Sequence, residues 1–92
     1  MKVRVLVPPH NFYYYGRRYY FMIFYCDNKR HLVCKPYSIE NLHTMAVQLN
    51  IKRCWFHKNH YDIPKTRIEE ITAKCVLVDS RTIVKIINKK ND

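Results

Sequence analysis

The feature that most constrains the fold is an alternation. From His31 onward, short runs of β-branched, aliphatic and aromatic residues take turns with segments whose apolar residues recur at helical spacing. His31-Leu32-Val33-Cys34 reads as a strand and is broken by Lys35-Pro36-Tyr37. Ser38 is a good helix N-cap, Glu40 sits where the helix dipole favours a negative charge, and Leu42, Met45, Ala46 and Leu49 with Ile39 form an apolar stripe. Ile51 to Phe56 predicts a second strand. Pro64 suits the first position of a second helix, with Ile68, Ile71 and Cys75 on its inner face. Val76-Leu77-Val78 predicts a third strand, and Asp79-Ser80 a cap for a last helix through Ile83, Val84, Ile86 and Ile87.

Strand, helix, strand, helix, strand, helix predicts parallel strands joined by right-handed βαβ crossovers. The N-terminal third adds to this. Val3, Val5 and Val7 predict a first strand ending at Pro8-Pro9. Asn11 to Tyr20 interleaves aromatic rings with Gly16, Arg17 and Arg18, and predicts a hairpin turning at Gly16. Tyr19 to Cys26, the turn residues Asp27-Asn28-Lys29-Arg30 and the His31 run predict another. The expected fold is α/β: a small, mostly parallel sheet, an N-terminal strand and an added antiparallel hairpin, in one domain over residues 1–92.

Charge narrows the partners. Seventeen Lys and Arg against seven Asp and Glu give a formal net charge of +10, which favours a polyanion. The longest apolar-aromatic run, Tyr19 to Cys26, is far short of the roughly 20 residues a membrane helix needs, so no membrane association is expected. Cys26, Cys34, Cys54 and Cys75 form no C-x-x-C pair and follow no secretory signal, which points to reduced thiols in the cytoplasm.

The chemistry concentrates in Trp55 to Pro64, where His57, Lys58, His60, Tyr61 and Asp62 stand together. His57, His60 and Asp62 are candidate ligands for a divalent metal; His60 and Asp62 are the candidate catalytic pair if the segment activates water. A plainer account has Asp62 capping the helix behind Pro64, His60 bonding the loop backbone and Tyr61 packing. In a parallel sheet Lys35, the His57–Asp62 loop and Asp79-Ser80-Arg81 would share the ligand edge. Tyr13, Tyr14, Tyr15 and Trp55 could stack on bases, and Arg17, Arg18, Lys35, Lys58, Arg67 and Arg81 could pair with phosphates.

His31-Leu32-Val33, Glu40 with Leu42-His43, Trp55-Phe56, His60-Tyr61-Asp62-Ile63-Pro64, Arg67, and Val78 with Ser80-Arg81 resemble the domain-of-unknown-function family numbered 4031, small bacterial and phage proteins. The resemblance runs from His31 to about Val84, and the His-Tyr-Asp-hydrophobic-Pro string is its most specific part. It implies an ordered site and a phage or bacterial origin, with no mechanism attached. The chain departs from the pattern at Lys74-Cys75, where Gly-Ala is usual, at Thr82, where an acid is common, and at Val7-Pro8-Pro9, which lacks an Asp often seen after the first strand. Phe21 to Arg30 resembles an insertion.

The expected function is binding of nucleic acid or a nucleotide-like phosphate ligand, with His57, His60, Tyr61 and Ser80 beside the cations named above and no resident cofactor. One alternative is a metal-dependent phosphoesterase or nuclease using His57, His60 and Asp62. The other is a host-directed inhibitor that captures an acidic host protein with the Tyr19–Arg30 hairpin, an edge that could equally form a homodimer.

Overall fold

The computed structural model describes the backbone of residues 10–15 and 18–88 and the side chains of residues 22–88. The strand expected at Val3–Val7, the turn residues Gly16 and Arg17, and the side chains of Tyr13, Tyr14, Tyr15 and Arg18 lie outside what is described.

Strand β1 (His10–Tyr15) pairs antiparallel with the long β2 (Arg18–Cys26), so the Tyr-rich segment is a hairpin. A turn at Asp27–Arg30 returns the chain as β3 (His31–Lys35), antiparallel to the end of β2. Asp27 makes that turn: its Oδ1 accepts from the amides of Lys29 and His31, each at 2.9 Å. Arg30 completes it in the left-handed region at φ 72°. These are the elements expected from the turn residues and the β-branched and aromatic runs.

Helix α1 (Ile39–Leu49) starts where the Ser38 hydroxyl accepts from the Asn41 amide at 2.9 Å. It ends at Asn50, whose left-handed φ of 59° lets its amide reach the carbonyls of Ala46 and Val47. Leu42, Met45, Ala46 and Leu49 are buried as the stripe predicts, but Ile39 is exposed.

The second expected strand is different. Arg53–Trp55 is a single 3-10 turn, and only Phe56–His57 is extended, as β4. The segment expected as a loop is a hairpin: β4 turns through Lys58 and Asn59 into β5 (His60–Asp62), antiparallel. Strand β5 then pairs antiparallel with β3, His31 opposite Asp62 and Leu32 opposite Tyr61. Behind Pro64 come a 3-10 turn (Lys65–Arg67) and a five-residue helix α2 (Ile68–Thr72), followed by β6 (Val76–Leu77) and α3 (Ser80–Asn88).

The strand order is β1-β2-β3-β5-β4, with β6 paired to β2. The sheet is therefore mixed and mostly antiparallel, and the expected mostly parallel sheet with βαβ crossovers is corrected. Among the described residues only β2 and β6 pair parallel. The reason is local: after α1 the chain folds back on itself through the two-residue turn at Lys58-Asn59 and meets β3 from the opposite direction.

One apolar cluster holds the elements together, with Phe24, Leu32, Leu42, Met45, Tyr61, Ile63 and Ile71 fully buried. Each such side chain contributes about 1.5–3 kcal/mol of burial free energy. Helices α1 and α3 both pack against β3. Strand β2 is paired on both edges over its last residues, by β3 and by β6, so that part of the Tyr19–Arg30 hairpin presents no open edge.

Candidate functional site

Alternation along β3 and β5 sorts their side chains into two sets. Leu32 and Tyr61 face each other in the core, so His31, His60 and Asp62 share the opposite face, and His57 joins them across from His60. The His31 and His60 rings meet edge to face with centroids 4.9 Å apart, and the His57 ring lies 5.4 Å from His60 on the exposed side. One ligand atom from each of His31, His60 and Asp62 lies within 4.8 Å of the other two.

Asp27 stands behind this cluster and is 2% exposed. Its Oδ2 lies 2.7 Å from His31 Nδ1 and accepts from the Ser80 hydroxyl at 2.6 Å. Burial pushes the Asp27 carboxyl up, but the Ser80 and His31 side chains and the backbone amides of His31 and Lys29 together hold it below the usual carboxylate range. It is thus an ionised, buried carboxylate whose four donors come from the turn, from β3 and from the start of α3.

His60 has an oxygen at each ring nitrogen: Asn59 Oδ1 at 2.8 Å from Nδ1 and Asp62 Oδ1 at 3.2 Å from Nε2. Burial lowers its pKa, the Asp62 charge opposes this, and the neighbouring His31 and His57 add to the lowering. The turn carrying Asn59 is pinned from α1's side, since the Tyr37 hydroxyl donates to the Asn59 carbonyl at 2.7 Å. On the core side of β5, the Tyr61 hydroxyl is hydrogen-bonded to His43 Nδ1 at 2.7 Å. His43 is itself partly buried; burial, with the Arg53 charge, lowers its pKa.

The expected site residues divide accordingly. His57, His60, Asp62 and Ser80 are brought to the same part of the sheet. Tyr61 is buried and packs, as the plainer account has it. Asp62 does not cap the helix behind Pro64; the 3-10 turn there has no side-chain cap, and the carboxylate faces His60. Lys35 is four residues along β3 from His31, about 13 Å away at strand rise, with its ammonium 5.5 Å from the Tyr25 ring. Arg67 bonds the carbonyls of Leu49 and Asn50 and pairs with Glu70. Lys58 and Arg81 are exposed, and Trp55 is half-buried.

Three members were not expected. His31 was read as a strand residue, Asp27 as turn chemistry, and Asn59 not at all. The available signal was the spacing His60-x-Asp62, which places both side chains on one face if the segment is a strand.

Fold and site together define a small α/β protein with a histidine–carboxylate cluster on the face of a mixed sheet. The chain belongs to the family described as protein of unknown function DUF4031, which it matches over residues 5–90. That match is wider than the His31–Val84 stretch carrying the quoted motifs. No curated protein and no solved structure matches the chain significantly.

Proposed function

We propose that this protein binds a phosphate-bearing polyanion, nucleic acid or a nucleotide. The observation that carries this reading is the lack of internal compensation for its charge. Among the described residues, Arg67 with Glu70 is the one ion pair made by a lysine or arginine, while the chain's formal net charge is +10. Lys29, Lys52, Arg53, Lys58 and Arg81 are exposed and pair with no carboxylate among the described residues. Lys29 lies in the turn before His31 and Lys58 in the turn before His60, so exposed cations sit next in sequence to the histidine cluster. Cations left unpaired by the fold keep their full attraction for phosphate, and each phosphate contact releases a counterion.

The setting that fits is the cytoplasm, since Cys26, Cys34, Cys54 and Cys75 are all free thiols and Cys54 is exposed. Among the described residues no helix is long and apolar enough to cross a membrane.

A salt titration tests the reading. Binding of the full chain to labelled single- and double-stranded DNA and RNA should weaken steeply as salt rises, with log K falling linearly in log salt. Lys58→Glu and Arg53→Glu should each flatten that slope. Absence of binding to nucleic acids and nucleotides alike at low salt overturns it.

A further inference from the structure

We propose that His31, His60 and Asp62 form a binding site for a borderline divalent cation such as zinc, cobalt or iron(II). Two imidazole nitrogens and one carboxylate oxygen are the donor set those ions take, whereas magnesium and calcium prefer oxygen alone. The three residues come from two adjacent strands, with His31 opposite Asp62 and His60 on the same face two residues away. Their ligand atoms lie within 4.8 Å of one another.

Bond lengths of about 2.0–2.2 Å to a tetrahedral ion require ligand atoms about 3.4 Å apart. His60 Nε2 and Asp62 Oδ1 are already 3.2 Å apart. Closing the third corner takes a movement of at most about 1.5 Å, within reach of side-chain rotation.

The hydrogen bonding around His60 points the same way. Its two ring nitrogens each face an oxygen, of Asn59 at 2.8 Å and of Asp62 at 3.2 Å. A neutral imidazole has one N–H, so it serves only one of these. With Nδ1–H donating to Asn59, a cation between Nε2 and the Asp62 carboxylate satisfies both remaining lone pairs. His31 is arranged alike: Nδ1 is engaged by Asp27, which leaves Nε2 as the ligand atom. Both imidazoles thus have Nε2 as the nitrogen left for an ion.

Asp27 is the positioning residue. A carboxylate on the far nitrogen of a ligating histidine fixes its tautomer, aims the ring and raises its basicity. Here that carboxylate is itself held by the Ser80 hydroxyl and by the Lys29 and His31 amides. The side chains of His31, His60 and Asp62 are 36%, 15% and 40% exposed, so an ion can enter and water or a phosphate oxygen can complete its coordination. His57 is exposed and stands outside the trio. The site does not depend on the polyanion reading: a chain that binds metal but no nucleic acid keeps this proposal and loses the other.

The test is titration of the full, metal-stripped chain with Co2+ and Zn2+ alone, followed by calorimetry and by cobalt visible absorption. One ion per chain is expected, with cobalt d–d bands and no intense thiolate charge-transfer band. His60→Ala and Asp62→Ala should each weaken binding tenfold or more, and Asp27→Asn by roughly 10–100-fold. His57→Ala should leave it unchanged. Circular dichroism shows which variants are folded, and His60→Ala and His57→Ala, at half-buried and exposed positions, keep the comparison decisive. Cobalt binding by folded His60→Ala equal to the parent's, a thiolate band, or no uptake by the parent would overturn the proposal.

Discussion

The Ser80 hydroxyl, at the first residue of α3, donates to the Asp27 carboxylate at 2.6 Å, joining positions 53 residues apart. Through that bond the last helix is fastened to the turn between β2 and β3, directly behind His31. Asp27→Ala would leave four donors without their acceptor in a buried place. The expected loss of stability is about 3–5 kcal/mol, since each buried donor left without an acceptor costs about 1–3 kcal/mol. Ser80→Ala, which removes one donor to a charged group, should cost about 1.5–3 kcal/mol. Urea denaturation of the two variants measures both, and equal, small losses would show that Asp27 is not held as described.

Stability should fall in two stages on acidification. The His43 pKa is lowered from 6.5 by burial and by Arg53, so the unfolded chain takes up a proton more readily than the folded one. Its contribution is present above that pH and is lost as pH drops below it. The Asp79 pKa is lowered from 3.8, chiefly by the Thr82 hydroxyl and then by the Thr82 amide, so its contribution disappears only as pH falls below that value. Thermal melts across this range should show both limbs. His43→Gln should remove part of the upper one, leaving the share of His60, and Asp79→Asn, which keeps a capping oxygen, part of the lower, leaving the share of Asp27.

Arg67 is engaged within the fold. Its guanidinium closes the end of α1 by donating to the Leu49 and Asn50 carbonyls, at 2.7 and 2.6 Å, while pairing with Glu70. Arg67→Ala should destabilise the fold, and Arg67→Lys by nearly as much, because an ammonium cannot span the same acceptors. Neither should change the salt slope of nucleic-acid binding, and a clear drop in that slope would return Arg67 to the phosphate contacts.

The thiols should react in order of access. Burial pushes the Cys34 thiol up to about 12, and the side chain is fully enclosed, whereas Cys54 is exposed. Iodoacetamide at pH 8 should label Cys54 rapidly and leave Cys34 unlabelled until denaturant is added. Peptide mass mapping over time reads this directly.

How far the sequence revealed the fold depends on where its signals were local. The Asp27–Arg30 turn, the Ser38 cap and the α3 start at Asp79-Ser80 each rest on a side chain bonding a nearby backbone amide or a cap-favoured residue, and each is found. The β4–β5 hairpin was hidden because Lys58 occupies its first turn position at φ 57°, a conformation that glycine adopts without strain and that usually advertises itself by glycine. Missing that turn left β5 unread as a strand, so its antiparallel pairing with β3 went unseen and the sheet looked parallel. The same error concealed half of the candidate site. His60 and Asp62 were visible as chemistry in a loop, but the pairing of His31 with Asp62 exists only once the segment is a strand. Asp27 looked like ordinary turn chemistry because its bond to Ser80 spans most of the chain.

The three pairings of the long strand β2 differ in the length of chain they close. Its partners β1 and β3 are reached through short turns, so both pairings close at small entropic cost, while β6 must return across the whole of α1, the β4–β5 hairpin and α2. The parallel pairing of Tyr25 and Cys26 with Val76 and Leu77 is accordingly the costliest of the three in loop-closure entropy, and it carries Ser80 to Asp27 as it forms. Until that step Asp27 lacks one of its donors. Docking of the C-terminal segment therefore also completes the support beneath His31.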